Sequence, residues 1–424
     1  MKILVVSENF YPDTFAINDI VRILVERGHE VTVLTGLPDY ATSEIPEEYR
    51  HGKNRVQDYC GAKVYRVATI ARHHGPVWRS LNYLSFVWSG NRMAKHFSWP
   101  DFDVIYVWEV SPVTMALPAI ALKKRYRKLL YLYCLDIWPE CIKAMGFREG
   151  TPFYQAVRQL SGYIYQKCDH VAVSSRPFLQ YLKEICGVSE EKMSYLPQFA
   201  SSAMLEEDFS KKREDSGTDD GLDPVPNLPE TDGADPGHTD FLYIGNIGKA
   251  QDMPCMIRAI SRLKDWNDVL FHFVGGGSEY ENTIRLARET GADRIIRFYG
   301  PKPFAKAKKY YRIADACILT LDGSNRIGDT LPGKVQTYMA AGKPILGAMN
   351  GAGYEVITEA KCGMVVRAGD SEGLSEAFRA FIEEKNIAER TSMGENARKY
   401  FRNHFREEKF FEQLEEELSE LEFS

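Results

Sequence analysis

Short apolar runs recur along the chain at intervals long enough to hold a helix between them. In the first half, Ile3–Val6, Val31–Thr35, Val104–Val107, Leu129–Cys134 and Val171–Ser174 predict strands. In the second half, Phe241–Ile244, Leu270–Val274, Ile295–Tyr299, Cys317–Leu319, Ile345–Ala348 and Met364–Val366 do the same. Strands separated by helix-length spacers imply parallel sheets with crossover helices, and two such runs imply two doubly wound α/β domains. The pattern fails over 206–240, which is acidic, rich in Pro, Gly and Asp, and nearly free of large apolar side chains. Such a stretch cannot bury a core and is expected to be a flexible insertion at the domain boundary. The expected organisation is therefore an N-terminal domain over 1–205, a linker over 206–240, a C-terminal domain over 241–400 and an amphipathic helix over 401–424. In that helix Phe401, Phe405, Phe410, Phe411, Leu414 and Leu418 fall near i, i+3, i+4 spacing, a stripe suited to packing back on the domains. A hinge between two such halves implies a cleft that closes over a ligand.

A chain of 424 residues, 44% apolar and 26% charged, fits two ordinary soluble cores. Its net charge of −6 argues against a general nucleic-acid binder. The charge is unevenly spread: residues 51–100 carry Lys53, Arg55, Lys63, Arg66, Arg72, Arg79, Arg92 and Lys95 against the single acid Asp58. A basic face on an acidic protein suits an anionic partner, such as a phospholipid surface or a diphosphate-linked substrate, or is simply a solvated surface. Trp78, Tyr83, Phe86 and Trp88, interleaved with Arg79 and Arg92, suit a lipid interface, a sugar-stacking platform or core packing. The eight cysteines include no CxxC and the nine histidines no HxxxH, so reduced cysteines and no metal site are expected. No apolar run approaches the roughly 20 residues that span a bilayer. A cytoplasmic protein, at most peripheral on the inner face of the membrane, is the expectation.

The candidate chemistry gathers at the C-terminal ends of the second-half strands, where doubly wound folds bind ligands. Gly245-Asn246-Ile247-Gly248-Lys249 follows the first of them. Gly245 and Gly248 permit close backbone approach, and Lys249 has the reach for a phosphate oxygen. Gly275-Gly276-Gly277 and Gly300-Pro301 follow the next two strands. Each of these turns taken alone also reads as a plain β–α connection. Leu331-Pro332-Gly333 then opens a short helix that ends at Ala340-Ala341-Gly342, with Lys334 in its first turn. Free N–H groups and partial positive charge at a helix start make an anion site, and a lysine there sharpens it.

These segments, with Ala314-Asp315-Ala316 and Ala340-Ala341-Gly342-Lys343-Pro344, resemble in order and spacing the signature of glycosyltransferase family 4. The N-terminal stretches MKILVVSENFYPD, INDIVRILVERGHEVTVLTGLPDY, SPVTMALPAI and YCLDIWPE resemble its bacterial surface-polysaccharide branch, including transferases of fucosamine-type sugars. The resemblance implies a GT-B fold, two Rossmann-like domains facing a cleft. It implies a retaining, metal-independent transfer of sugar from a nucleotide-diphosphate donor, a UDP-sugar, to a lipid-diphosphate-linked saccharide. The donor would bind the C-terminal domain through Gly245, Asn246, Gly248, Gly275, Gly277, Gly300, Pro301, Pro332, Gly333, Thr337 and Glu355. Lys249 and Lys334 would steady the departing diphosphate, which itself can take the acceptor's proton. Two acids eight residues apart are usual in the family; Asp329 and Thr337 stand there, with Glu355 as a substitute for one of them. On the acceptor side, Asp136 is the nearest candidate to orient or deprotonate the hydroxyl. Glu109, after the strand ending at Val107, is a second candidate, and Glu140 flanks Trp138-Pro139 together with Asp136; Asp136 and Glu109 read equally as ordinary surface acids or helix caps. Asn18 and Asp19 read either as a helix cap or as polar groups facing a ligand. No cofactor beyond the sugar nucleotide is implied. A UDP-sugar 2-epimerase of similar fold and a non-catalytic sugar-nucleotide-binding scaffold are the alternative readings.

Overall fold

The computed structural model describes residues 1–143, 147–205, 209, 238–303, 306, 308–323, 326–383 and 387–423. Apart from Phe209 and 238–240, the expected linker lies outside the described residues. The chain forms two compact units, one of Met1–Leu196 with the segment from Phe411 onward, the other of Pro197–Phe410.

The first unit is built on an eight-stranded sheet of order β3-β4-β2-β1-β5-β6-β7-β8. Its strands are β1 (Lys2–Val6), β2 (Glu30–Thr35), β3 (Val56–Tyr59), β4 (Ala62–Arg66), β5 (Val104–Glu109), β6 (Leu129–Cys134), β7 (His170–Val173) and β8 (Met193–Tyr195). All neighbours pair parallel except β3 with β4. Helix α1 (Ala16–Glu26) carries the chain from β1 to β2. The helices α2 (Pro76–His96), α3 (Leu117–Tyr126), α4 (Glu140–Lys143), α5 (Pro152–Lys167) and α6 (Arg176–Glu184) carry it the other way, from β4 on to β8. Right-handed crossovers running in opposite directions lie on opposite faces. So α2, α3, α5 and α6 cover one face, where Leu4, Val6, Ile105, Val107, Leu130 and Leu132 pack with Phe86, Ala119, Ile164 and Phe178.

That topology leaves the β5–β7 half of the other face without a crossover helix, and the C-terminal helix fills the gap. Tyr106, Tyr131 and His170 stack across it at 5.7 and 5.1 Å. The C-terminal helix runs over Glu407–Phe423. Its Glu417 accepts a hydrogen bond from the Tyr131 hydroxyl at 2.5 Å, and its Gln413 amide donates to the Tyr195 carbonyl at 2.9 Å. Glu415 accepts from Arg27 at 2.7 Å and faces the His29 ring at 2.9 Å. The stripe expected over 401–424 is divided between two helices, because the preceding one ends at His404 and the chain breaks at the buried Phe405, whose carbonyl accepts from Ala200 N–H.

The second unit has a six-stranded parallel sheet of order β11-β10-β9-β12-β13-β14: β9 (Thr239–Ile244), β10 (Val269–Val274), β11 (Ile296–Gly300), β12 (Ala316–Thr320), β13 (Ile345–Ala348) and β14 (Gly363–Val366). Helices α7 (Met253–Ser261), α8 (Tyr280–Thr290), α9 (Tyr310–Ile313), α10 (Gly333–Ala340), α11 (Ala352–Ala360) and α12 (Ser371–Ile382) follow the strands, and α13 (Ile387–His404) and α14 (Glu407–Phe423) complete the chain. Strand order reverses between β9 and β12, the place where such sheets bind ligands. This unit begins at Pro197 rather than at the linker, since the Gln198 carbonyl accepts from Gln336 on α10 at 2.6 Å. Among the described residues no helix is long and apolar enough to cross a membrane.

Candidate active site

At the strand-order reversal of the second unit lies a cavity of about 480 Å³. Its lining includes Gly245, Asn246, Gly275, Gly276, Pro301, Lys302, Tyr311, Lys334, Thr337 and Tyr338. The glycine loops that form its floor are laced to one another through the main chain. Gly245 N–H donates to Val274 at 2.9 Å, Ile247 to Gly276 at 2.8 Å and Gly275 to Gly300 at 2.9 Å. This lacing is why the glycines are needed. A Cβ on Gly275 (φ +144°) would lie 1.9 Å from the Gly245 carbonyl oxygen, and one on Gly277 (φ +150°) 2.4 Å from that of Ile247. The close approach at these two positions is between loops.

Gly245 has a different duty. A Cβ there would fall 2.5 Å from Cε of Lys334, so its bareness makes the channel for that side chain. The Lys334 ammonium sits 5.2 Å above the Tyr243 ring and donates to the Asn246 carbonyl at 3.4 Å. Burial pushes its pKa down from 10.5 to about 8. Helix α10, which carries it, is pinned to the end of β9 by the Tyr338 hydroxyl, which donates to the Ile244 carbonyl and accepts from the Ile244 N–H, both at 3.2 Å. Gly333 opens the same helix, and nothing lies within 4 Å of where its Cβ would stand. A cation, a helix start and free space thus meet at one wall of the cavity. Lys343, in the segment after α10, is buried and donates to the Phe209 and Ala314 carbonyls at 2.6 and 2.7 Å, a packing role.

Of the donor-side residues expected from sequence, Gly245, Asn246, Gly275, Pro301, Lys334 and Thr337 line the cavity. The Thr337 hydroxyl donates to the Gly333 carbonyl one turn back at 3.0 Å. Gly248, Gly277 and Pro332 in the neighbouring loops, Gly300 at the end of β11 and Gly333 at the start of α10 are outside the lining residues. Lys249 is exposed at the start of a short 3-10 turn, Lys249–Gln251. Asp329 pairs with Arg326 at 2.7 Å, and its loop packs against Gly351, before the helix that carries exposed Glu355. Lys302, which closes the loop Tyr299-Gly300-Pro301-Lys302, also lines the cavity, as do Tyr311 and Tyr338, which were missed; Tyr338 is one turn on from Lys334.

In the first unit, Glu109 ends β5 and is fully buried, with the Cys134 thiol and the Tyr165 hydroxyl facing it. Burial raises its pKa well above the ordinary carboxylate value, and the charge of Asp136 raises it further. Asp136 follows β6 and accepts from the Ser111 N–H at 3.1 Å and its hydroxyl at 2.8 Å. The Trp138 indole donates to the same hydroxyl at 3.2 Å. Two acids in unlike surroundings, one buried and one hydrogen-bonded to Ser111, are an arrangement suited to handling a proton. Glu140 is occupied otherwise. It meets Lys143 at 2.6 Å and the hydroxyls of Tyr154 and Tyr181 at 2.8 and 2.9 Å. Burial alone would raise its pKa, but these contacts outweigh it and hold the group ionised.

The capping expectation for Asn18 and Asp19 is corrected. Helix α1 starts at Ala16, after Phe15, so both lie within its first turn. The buried Asn18 amide instead staples the preceding loop, accepting from Tyr11 N–H at 3.1 Å and donating to the Asp13 carbonyl at 2.7 Å. Asp19 is exposed beside Arg22. A cluster that sequence reasoning missed lies at the ends of β1 and β2. Glu8 is buried, and among the described residues neither of its oxygens meets a hydrogen-bond donor. Burial, then the charge of Asp39, raises its pKa to about 8 against the opposing pull of Arg72. Asp39 accepts from Arg72 N–H and the Asn82 amide, both at 2.9 Å. The position of Glu8 two residues past β1, at that sheet's own reversal, was the available signal.

Two family models divide the chain between them. Residues 15–198 match a glycosyl transferase 4-like domain, and residues 226–400 match the glycosyl transferases group 1. With the fold above, the chain belongs to the glycosyltransferases of the GT-B type. It is similar to the putative colanic acid biosynthesis glycosyl transferase WcaI of Escherichia coli (strain K12), 24% identical over 81% of this chain and 82% of that one. Among solved structures it is similar to sucrose-phosphate synthase from Thermosynechococcus elongatus (TM-score 0.70, 15% identity, 99% and 98% of the two chains). It is also similar to Anabaena HepE in complex with UDP (TM-score 0.67, 14% identity, 99% and 100%).

Proposed function

We propose that the chain is a retaining, metal-independent glycosyltransferase that takes its sugar from a UDP-linked donor held in the Lys334 cavity. The acceptor is a lipid-linked saccharide of capsule, O-antigen or exopolysaccharide synthesis, and a fucosamine-type sugar is one candidate for transfer. The observation that carries this reading is the Lys334 ammonium, held by burial beside a helix start and open space at the strand-order reversal. A diphosphate placed there repays the cost of burying the charge and, as the sugar departs, receives the positive field it needs. HepE's complex with UDP and WcaI's link to colanic acid support nucleotide and pathway class respectively. Asp136 would orient the acceptor hydroxyl, while the leaving phosphate takes its proton. The test is incubation of the protein with a panel of UDP-sugars, with and without a membrane glycolipid extract, followed by release and NMR of the product. Transfer from one UDP-sugar with the donor's anomeric configuration kept is the expected result. An inverted product would refute retention. Conversion of donor without transfer would favour the epimerase, and binding without turnover the scaffold.

A further inference from the structure

The exposed apolar side chains of this protein are not scattered. Fifteen large hydrophobic residues stand exposed among those described, and all but Trp266 belong to the first unit. Val77, Leu81, Leu84 and Trp88 follow i, i+4, i+7, i+11 spacing along α2, with Val77, Leu84 and Trp88 exposed by 68%, 62% and 67%. Phe153, Leu160 and Tyr163 form a second exposed row on α5, with Phe147 against Phe153 at 4.7 Å. Both helices pack on the same short turn, Val113–Ala116, and both lie with α3 on one face of the sheet. Helix α2 already buries its other side through Asn82, Phe86 and Ala94, so the outer row is surplus to the unit's own core.

The charge on this layer is as uneven as its hydrophobicity. Helices α2, α3 and α5 carry three, three and two Lys or Arg residues and not one Asp or Glu, in a protein of net charge −6. The cations sit over the aromatic edge of the rows: Arg92 lies 5.8 Å from the Trp88 ring and Lys167 5.5 Å from that of Tyr163. Long cationic side chains beside exposed aromatics can hold their stems in an apolar layer and their heads at its polar border.

We infer that the outer face of α2 and α5 is a docking surface for an anionic lipid bilayer, seated in the interface with its apolar rows in the acyl boundary. Apolar rows supply insertion and the acid-free helices supply attraction to anionic headgroups, the two components of interfacial binding. A second copy of the chain fits less well, because a two-fold contact would press this cationic face against itself. The surface gives a physical reason for the lipid-linked acceptor proposed above, yet it stands on its own observations.

The test is co-flotation of the full chain with vesicles of phosphatidylcholine alone or mixed with phosphatidylglycerol, at low and high salt. The expected result is binding to the mixed vesicles, weakened by salt. Leu84→Ser with Trp88→Ser should weaken it by at least about tenfold, from the lost apolar burial. Arg92→Glu should reduce it on the mixed vesicles, and Trp266→Ser should leave it unchanged. Thermal unfolding with UDP, run on every variant, shows whether fold and nucleotide binding survive, so failure of the donor reading is seen separately. No flotation with mixed vesicles, or flotation that the Leu84→Ser, Trp88→Ser variant leaves intact, would overturn the inference. So would a wild-type dimer in sedimentation that this variant dissociates.

Discussion

Replacing Lys334 by Met keeps an apolar stem and removes the buried charge, and the structure fixes opposite effects on stability and ligand binding. The ammonium falls from 10.5 in the unfolded chain to about 8 in the folded one because burial disfavours its charged form. A base with a depressed folded pKa binds fewer protons folded than unfolded between these values. Its cost is therefore fully present below about pH 8 and fades as pH rises to 10.5. At about 1.4 kcal/mol per pH unit the cost at pH 7 is at most about 3 kcal/mol. Solvent at the rim of the cavity and the lost contact with the Tyr243 ring, worth about 1 kcal/mol, both reduce the gain. Urea unfolding at pH 7 should find Lys334→Met more stable than the wild type by about 1–2 kcal/mol. That gap should narrow towards pH 10. Calorimetric titration with UDP should instead show affinity lowered roughly tenfold to hundredfold, the loss of a charge-assisted hydrogen bond to phosphate. A variant that is less stable than wild type at pH 7, or that binds UDP equally well, would refute the reasoning.

Glu8→Gln removes an acid whose pKa is raised from 4.5 to about 8, so the folded state binds more protons across that interval and wild-type stability falls as pH climbs through it. Denaturation at pH 5 and pH 8 should show the variant gaining up to about 4 kcal/mol at the higher pH and little at the lower; an equal gain at both would contradict it. Gly275→Ala should be disruptive, costing about 3 kcal/mol or more, because its Cβ would meet the Gly245 carbonyl at a positive φ. Gly333→Ala should instead raise the melting temperature slightly, since the space is open and alanine favours a helix. Its UDP affinity should fall only if phosphate packs against that position. Asp136→Asn should lower glycosyl transfer by about tenfold or more while leaving UDP binding unchanged; unaltered transfer rates would remove Asp136 from the acceptor side.

The strands that carry both cores were legible because they are apolar runs buried on both faces. Those left unread are of another kind. β3 and β4 read VQDY and AKVYR, form a hairpin at the sheet edge and carry Lys63 on the exposed face and Arg66 on the buried one, while β8 is a three-residue edge strand. Neither offers a run long or apolar enough to stand out. The donor loops were legible for a related reason, since glycines at strand ends mark where backbones approach closely. What the glycines approach was not: Gly275 and Gly277 meet neighbouring loops, and Gly245 meets Lys334, distinctions that depend on contacts between segments far apart in sequence. The same distance hid Tyr338, whose hydroxyl pins α10 to β9, and the Glu8–Asp39–Arg72 cluster, assembled from three separate connections. The C-terminal stripe was visible, but its division at Phe405 goes with a bond from the Ala200 N–H, again a contact far away in sequence.

Thermal unfolding with UDP, GDP and ADP in turn tests the central claim, a nucleotide-sugar site at Lys334, most directly. A nucleotide at about a hundred times its dissociation constant stabilises the folded state by roughly 2.7 kcal/mol. The account predicts such a shift with UDP alone, abolished or much reduced in Lys334→Met. No shift with any of the three nucleotides, or an undiminished UDP shift in that variant, would contradict it.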